Sequence, residues 1–387
     1  MKKSLTKCIV RGSILLSLIL IAGCGQNQIK IEFKAQPNQK ARLVTKIGAV
    51  EFNRLLSDGY LFTDMKSGRY HFTVVADGYF ETKQCEVKFA PLLPNSVKTY
   101  VVEFHLPAAD TTWPGGTVVF NSDKHGVDNL EIYSMRLDGS RLTNLTSHKG
   151  CDTEPSWSPD GSKIVFVSDR NSSLICSSIY LMDADGSNQT RLTFSKSKDY
   201  SPCWSPDGTR IGFCSQRTSK DQIFVIKANG DSVACLSDGT ASDKFPCWSP
   251  DGERIIFVSD RDGRRGDKIY SMRSDGSDVT RLTDTIEMDW NPVWSADGNW
   301  ILFDSSRRGG RDIFLMKSDG KWPTRLTLTS KNYEWQAVCL STGQGFLTAA
   351  DLEGNYDIYL INFSGDRIVN LTKTKDWDER NPSWRPF

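Results

Sequence analysis

A short motif that returns along the chain constrains the fold more than any other feature of the sequence. The segment 155–161 reads PSWSPDG, and close copies of it follow at intervals of about 45 residues. The copies occupy 202–208, 246–252 and 292–298, with a degenerate copy at 337–343 and a truncated one at 382–386. This period is typical of proteins that repeat one small β-sheet unit many times.

Each copy opens a unit with the same order of strands and turns. After the first copy come an alternating segment at 164–168, a loop, a second apolar segment at 179–182 and a turn at Asp185-Gly186. Alternation of apolar and polar residues between Asp-Gly turns predicts antiparallel hairpins. Four strands in each of six units predict an all-β fold with a six-bladed β-propeller over residues 117–387.

The two ends of the repeat region are incomplete in complementary ways. The first unit, 117–146, has three strand segments, whereas residues 381–384 supply a lone first strand. If that strand joins the first unit, the sixth blade is complete and no open sheet edge remains to invite aggregation. We therefore expect the C-terminal strand to close the ring, and its removal to be harmful.

The order of the motifs resembles the TolB-type propeller, which is also described as WD-repeat-like. Its blades carry P-x-W-S-P-D-G, then I-x-F, a basic residue, I-Y-x-M, D-G and R-L-T, and the resemblance covers residues 117–387. The resemblance is specific for the β-propeller fold. It implies the function only broadly, because such propellers occur in partner-binding proteins and as accessory domains of peptidases.

The first residues predict a secretory leader. A basic start and an apolar run at 14–21 precede Leu20-Ile21-Ala22-Gly23-Cys24, which resembles a bacterial lipobox. The pattern predicts a signal peptide at 1–23, lipidation of Cys24 and a tether at 24–28, with a plain signal peptide as the alternative. Because no Asp follows Cys24, the outer membrane, facing the periplasm, is the expected address in a cell that has one.

Residues 29–106 lack the repeat but contain strand-like segments such as 70–75 and 97–104. They predict a small β-sandwich, followed by a linker at 107–116. The stretch 67–80 is similar to PEGA or carboxypeptidase-regulatory surface modules. No amphipathic helix is evident, unlike in the mixed α/β leading domain of TolB, so the resemblance does not bring a role in the Tol-Pal system with it.

An acidic residue stands three positions before the first-strand proline, or its replacement, in every unit. Because the first strand of a blade is innermost, these carboxylates are expected around one mouth of the channel, where they could attract a cation or a partner. A structural ion pair is the favoured interpretation, because a basic residue recurs at the same end of the second strand. The acids are Asp152, Asp199, Asp243, Asp289, Glu334 and Glu379, and the bases are Lys124, Arg170, Arg217, Arg261 and Arg307.

One unit breaks this pattern, because Ala350 occupies the basic position that should face Glu334. A candidate partner-binding site is therefore expected there. It comprises Tyr333, Glu334 and Trp335 with Asp289 and Trp290 of the preceding unit. Aromatic residues near the same mouth either contact a protein or peptide or pack between blades, and they are Tyr200, Phe245, Trp290, Trp335 and Trp377.

Charge and cysteine content exclude some classes of function. The chain has 48 Lys and Arg against 47 Asp and Glu, so it carries no nucleic-acid footprint. Its cysteines form no C-x-x-C pair and no metal-finger spacing, and neither a metal nor a cofactor is predicted. The disulfide pattern stays open, with small core hydrophobes as the favoured interpretation of the cysteines.

Catalytic motifs are lacking in the sequence. The four histidines are His71, His105, His125 and His148, and H-E-x-x-H, G-x-S-x-G and phosphate-binding glycine loops do not occur. Propeller peptidases carry a further hydrolase domain, for which we expect no room here. The sequence favours a non-enzymatic protein- or peptide-binding scaffold of the cell envelope. The alternatives are a carbohydrate-active or lyase-type propeller enzyme and a purely structural envelope component.

Overall fold

All strand pairs in the computed structural model of the chain are antiparallel. The structure describes residues 114–386 except 172–175, 264–265, 308, 328–333, 342 and 364–367, and it gives backbone strands alone in residues 1–113. The chain divides into two compact units, Met1–Thr112 and Trp113–Phe387. No helix among the described residues has the length and apolarity needed to cross a membrane.

The second unit contains six four-stranded sheets, which we call blades 1 to 6. From the innermost strand outwards, blade 1 consists of Glu379–Arg385, Thr117–Ser122, Glu131–Arg136 and Thr143–Asn144. Blades 2 and 3 consist of Asp152–Trp157, Lys163–Ser168, Ser178–Asp183 and Thr190–Arg191, and of Asp199–Trp204, Arg210–Ser215, Gln222–Lys227 and Ala234–Cys235. Blades 4 and 5 consist of Asp243–Trp248, Arg254–Ser259, Lys268–Arg273 and Thr280–Arg281, and of Asp289–Trp294, Trp300–Ser305, Asp312–Lys317 and Thr324–Arg325. Blade 6 consists of Glu334–Cys339, Gly345–Asp351, Tyr356–Asn362 and Ile368–Asn370.

Blade 1 joins the two ends of the propeller. Its innermost strand, Glu379–Arg385, pairs with Thr117–Ser122, and Trp384 lies opposite Val118. The predicted six-bladed propeller is therefore confirmed, and the C-terminal strand closes the ring as the sequence indicated.

The second and third strands of the blades are buried on both faces, because each blade is covered by a neighbour on either side. In blade 2, Ile164 and Phe166 pack against Val119 of blade 1. The alternate residues of the same strand, such as Val165, pack against Phe213 of blade 3. The alternation seen in the sequence thus separates two apolar faces, each buried against a different blade.

The repeated Ser-Pro-Asp-Gly segment makes the turn between the innermost and second strands. In blade 2, Asp160 accepts hydrogen bonds from the Ser158 hydroxyl (2.6 Å) and from the backbone N–H of Ser162 (3.0 Å). These bonds hold the pKa of Asp160 at about 2. Gly161 has φ of 67°, a left-handed conformation that favours glycine. The motif recurs because each of its residues has a part in this turn.

The first unit contains two sheets. One has the strand order Val50–Leu55, Ala41–Ile47, Gly68–Ala76 and Lys83–Phe89, and the other pairs Ser13–Ser17 with Val101–His105. The β-sandwich over 29–106 stays a prediction, and so does the signal peptide at 1–23, within which Ser13–Ser17 lies. Cys24 and the tether at 24–28 lie outside the described residues, as do residues 107–113 of the expected linker.

Candidate functional site

The six acids at the start of the innermost strands are buried, and none is more than 2% exposed. In blades 2 to 5 each pairs with the arginine that follows the second strand of its own blade, at N–O distances from 2.5 to 3.1 Å. The pairs are Asp152–Arg170, Asp199–Arg217, Asp243–Arg261 and Asp289–Arg307. These are the ion pairs that the repeat predicted, and they leave these four carboxylates neutralised inside the blades.

Aromatic rings hold the same arginines in place. In blade 3 the guanidinium of Arg217 lies 4.6 Å from the centroid of Phe224, and its Nε donates to the Ser215 hydroxyl at 2.8 Å. Stacking on an aromatic face and hydrogen bonding to a carboxylate use both features of a guanidinium. The arginines therefore stabilise the blades, and their hydrogen-bond donors are directed at the buried aspartates rather than at a ligand.

Blade 1 departs from the expected pairing. Lys124 should face Glu379, but its ammonium lies 4.7 Å from the ring centroid of Trp377, and the described residues show no ion pair between Lys124 and Glu379. Glu379 instead accepts hydrogen bonds from the hydroxyls of Ser122 (3.1 Å) and Thr374 (2.8 Å). The predicted pair is wrong here, because the lysine reaches an aromatic ring at the surface instead of the buried acid.

A second buried acid lies beside Glu379. Asp357 of blade 6 is fully buried and accepts hydrogen bonds from the hydroxyls of Thr372 (2.7 Å) and Thr374 (3.1 Å). Burial, together with the neighbouring Asp357, raises the pKa of Glu379 to about 8. At neutral pH the Glu379 carboxyl is thus largely protonated at the junction of blades 6 and 1.

The channel is lined by six residues, of which sequence reasoning singled out Phe245 alone. They stand two positions after each acid, and all have φ between 46° and 57°. The pairing register of each innermost strand shifts next to them, as a β-bulge does. The six are Glu154, Ser201, Phe245, Asn291, Gln336 and Asn381. They and the residues that follow them, mostly prolines, surround a cavity of about 290 Å³.

The bulges explain the varied residues at these positions. A bulge turns a backbone N–H out of the sheet ladder, and a nearby side chain accepts it. Ser201 donates to Glu154 (2.5 Å), Asn381 to the Gln336 side chain (3.1 Å), and Gln336 to Asp304 (3.1 Å). A signal for this ring existed in the sequence, because the position just before the repeated proline varies in type, whereas the acid two positions earlier recurs in every unit.

Asp304 is a buried acid near the channel that has no equivalent in the other blades. It occupies a second-strand position that Val167 and Val258 fill in other blades, and Asn291 donates to it at 2.6 Å. Burial raises its pKa to about 7, against the opposing effects of Asn291 and Arg311. The described lining residues of the channel include one carboxylate, Glu154, whose pKa burial also raises, and no basic side chain.

Three thiols also line the channel: Cys203, Cys247 and Cys339. Burial raises the pKa of Cys247 to about 11, so its thiol is protonated at neutral pH. All seven cysteines in the described part of the chain are free, and these residues contain no group of three His, Cys, Asp or Glu side chains arranged to hold a metal ion.

Aromatic and cationic side chains alternate across the channel mouth from blade 5 through blade 6 to blade 1. We call this set the mouth ladder, and it consists of Trp290, Arg311, Trp335, Arg380 and Tyr356. Arg311 lies 4.1 Å from the ring centroid of Trp290 and 5.2 Å from that of Trp335. Arg380 lies 5.4 Å from Trp335 and 4.6 Å from Tyr356. All five are half-buried.

The ladder contains two of the predicted site residues, Trp290 and Trp335. Two other predicted members are not part of the ladder. Asp289 forms an ion pair with Arg307, and Glu334 is 1% exposed and accepts a hydrogen bond from the Thr327 hydroxyl at 3.2 Å. Tyr333 lies outside the described residues. Sequence reasoning missed Arg311, Arg380 and Tyr356, since their part in the ladder depends on contacts between blades.

Two aspartates at the mouth, in blades 3 and 4, accept hydrogen bonds from aromatic side chains, and one of them, Asp267, also lies 4.0 Å from the ammonium of Lys244. The Tyr200 hydroxyl donates to Asp221 at 2.8 Å, and Trp290 Nε1 donates to Asp267 at 3.1 Å. Asp221 and Asp267 stand just before the third strand, the place that Arg311 takes in blade 5.

Comparison with known proteins agrees with this architecture. The family model described as the TolB beta propeller domain matches residues 75–200, 198–283 and 240–387. A curated relative, the protein TolB homolog of Chlorobium luteolum, is 50% identical over 40 residues, a match that covers 10% of this chain and 9% of the relative. The match thus spans only a small part of that relative's length.

Solved structures share the fold at low sequence identity. The crystal structure of TolB from Acinetobacter baumannii is similar with a TM-score of 0.61 and 18% identity over 84% of this chain and 81% of that chain. Hydrazine synthase from Kuenenia stuttgartiensis is similar with a TM-score of 0.59 and 15% identity over 70% of this chain and 47% of that chain. Such likeness concerns the fold alone. On the extent of the family match, the chain belongs to the TolB beta-propeller domain family.

Proposed function

We propose that this chain is a non-enzymatic scaffold of the bacterial cell envelope, held to the membrane by lipid on Cys24, which binds a protein or peptide at the mouth of its propeller. The lipobox-like segment before Cys24 supports the anchor, and the residues after it, Gly25 and Gln26, favour the outer membrane facing the periplasm. Membership of the TolB propeller family is consistent with this address.

The mouth ladder is the observation that carries the proposal. Tryptophan, tyrosine and arginine dominate the binding energy of protein interfaces, because they bury large areas and still make directed polar contacts. Here two tryptophans, one tyrosine and two arginines lie together on one sector of one face. Regular repeats would distribute such residues evenly around the ring, so their concentration in blades 5, 6 and 1 favours a specific contact.

The interior of the ring supports binding rather than catalysis. In its most regular polar groups, the Asp–Arg pairs of blades 2 to 5, the aspartates are buried and each is paired with a half-buried arginine. A catalytic acid or base needs to reach a substrate, and these groups do not face the channel.

A pull-down from solubilised envelopes tests the proposal. The bait is the full-length anchored protein, compared with Trp335→Ala and with Trp322→Ala. Trp322 follows the Asp319-Gly320 turn at the end of blade 5 remote from the mouth, where it stacks with Lys317 at 4.2 Å. It therefore controls for the loss of an indole. We expect a partner captured by the parent and by Trp322→Ala to be depleted at least ~10-fold with Trp335→Ala.

Thermal melts of all three proteins show whether the variants are folded. Capture of the same partner by all three would refute the mouth as the binding site. Absence of any specific partner would favour the structural or the enzymatic alternative.

A further inference from the structure

Arg311 is an arginine of the propeller whose charge is not neutralised by a carboxylate. Its guanidinium stacks between the indoles of Trp290 and Trp335, and the described residues show no ion pair and no side-chain hydrogen bond to it. Its backbone carbonyl accepts a hydrogen bond from the N–H of Glu334 at 2.8 Å. The cation is thus fixed in place while its donors stay unused.

Among the described residues, Arg210 and Arg385 also stack on an indole without an ion pair, but each contacts one indole, whereas Arg311 lies between two. Several other arginines of the ring have a carboxylate partner. Those of blades 2 to 5 at the end of the second strand face a buried aspartate. Arg325 pairs with Asp312, and Arg380 pairs with Asp378 at 2.7 Å. Two indole walls and five free N–H donors make Arg311 a preorganised receptor for a planar anion, because little side-chain entropy remains to be lost on binding.

The charges around Arg311 limit the anion that fits. Arg380 is offset by Asp378, and the nearby acids Asp304 and Glu334 are buried. Among the described residues Arg311 has no ion-pair partner, so it presents one positive charge, which matches a single carboxylate better than a phosphate dianion. The flanking indoles offer apolar faces on both sides of the cation, which suits an apolar side chain next to the acidic one.

Building on the binding function proposed above, we propose that Arg311 receives a side-chain or terminal carboxylate from an acidic peptide segment of the partner, while Trp290 and Trp335 contact an apolar residue beside it. Two N–H groups of the guanidinium donate to the two carboxylate oxygens in a bidentate pair.

The test is fluorescence anisotropy with two labelled peptides, Gly-Phe-Asp-Phe-Gly and Gly-Phe-Asn-Phe-Gly, both amidated at the C-terminus. They are titrated with the full-length protein and with its Arg311→Gln, Arg311→Lys and Arg273→Gln variants. Arg273 is exposed at the end of the third strand of blade 4, remote from the mouth, so it reproduces the change of charge elsewhere. Vesicles containing an anionic phospholipid serve as the phosphate probe.

We expect the parent and Arg273→Gln to bind the Asp peptide alike and to prefer it to the Asn peptide. Arg311→Gln should weaken binding of the Asp peptide about 10-fold, and Arg311→Lys should restore only part of it, because a lysine has no planar fork. The inference would be overturned by equal affinity for both peptides or by unchanged affinity of Arg311→Gln. It would also be overturned if binding does not saturate up to about 1 mM protein. Binding of anionic vesicles that depends on Arg311 would overturn it in favour of a lipid phosphate.

The outcome separates the two proposals. If the envelope partner is lost with Trp335→Ala but retained with Arg311→Gln, the binding function stands and the carboxylate receptor does not. If the peptide binds through Arg311 but no envelope partner is captured, the receptor stands and the scaffold role does not.

Discussion

In blades 2 to 5, a buried aspartate at the start of the innermost strand meets an arginine from the second strand of the same blade. At the junction of blades 6 and 1, the buried Glu379 and Asp357 meet hydroxyl groups instead, and the basic residue Lys124 lies over Trp377. One repeat position therefore has two electrostatic solutions. In the regular blades an arginine offsets the buried carboxylate, whereas at the junction burial raises the pKa of Glu379 to about 8.

The difference follows from the place where the ring closes. Each of blades 2 to 5 is continuous in the chain, so the acid and its arginine are always 18 residues apart. Blade 1 is assembled from residues 257 positions apart, such as Ser122 and Glu379. The closing strand comes from a separate part of the sequence, and its acid is accommodated by whichever polar groups the two blades supply.

Removal of the closing strand, Glu379–Arg385, should have the largest effect on the stability of the propeller. Truncation after Asp378 deletes the innermost strand of blade 1, exposes the edge of Thr117–Ser122 and uncovers the core against which Trp384 packs. We expect loss of the cooperative thermal transition and association of the chains, measured by circular dichroism and light scattering. Deletion of only Pro386 and Phe387 is the control and should melt like the parent. A truncated protein that melts as a cooperative monomer would contradict the role of closure.

Loss of an arginine from a regular blade is the next largest effect. Arg217→Met leaves Asp199, which is fully buried, without its cation while keeping the apolar contact with Phe224. We expect the free energy of unfolding in urea to fall by about 3 kcal/mol. The matched variant Arg254→Met removes a pair with the exposed Asp278 and should cost less than about 1 kcal/mol. Equal losses would show that burial of the aspartate does not decide the cost.

The free energy of unfolding should depend on pH through Glu379, at the junction of blades 6 and 1. The pKa of Glu379 is raised from 4.5 to about 8 in the folded protein, so the folded state binds more protons than the unfolded state between these values. Its stabilising contribution is complete below the unfolded pKa and is lost as the pH rises through about 8.

Glu379→Gln imitates the protonated carboxyl and removes this titration. We therefore expect the difference in unfolding free energy between the parent and Glu379→Gln to shift by about 3.5 kcal/mol in favour of the variant from pH ~5 to pH ~8. The hydroxyls of Ser122 and Thr374 moderate the effect, because they also stabilise the charged form. A difference that stays constant with pH would mean that Glu379 is ionised in the fold.

Local repetition made much of the fold predictable. The motif around Trp157, the alternating strands and the Asp-Gly turns each follow from contacts within a few dozen residues, and so does the pairing of Asp152 with Arg170. Closure by the C-terminal strand was also predictable, since the two incomplete units complement each other. The predicted ion pair between Lys124 and Glu379 does not form, because the Lys124 ammonium lies over the indole of Trp377. The position of Trp377 in the repeat did not indicate that contact.

The candidate site was only partly predictable. The position of Trp290 and Trp335 near the mouth follows from the repeat, but the burial of Glu334 does not, because Glu334 accepts from the hydroxyl of Thr327, which follows the outermost strand of blade 5. The channel ring that includes Glu154 and Asn291 was missed, since its exposure results from a β-bulge that changes which side chains face the channel.

By itself, the sequence determined the number of blades, their strand order and the ion pairs inside them, because each of these depends on interactions within one repeat. Only the tertiary structure decided which groups meet between repeats: Arg311 between Trp290 and Trp335, Glu379 beside Asp357, and Asp304 behind Asn291. The physical reason is that a ring places residues of adjacent blades in contact at distances along the chain that the repeat period does not encode, and their charge and burial are set by those neighbours.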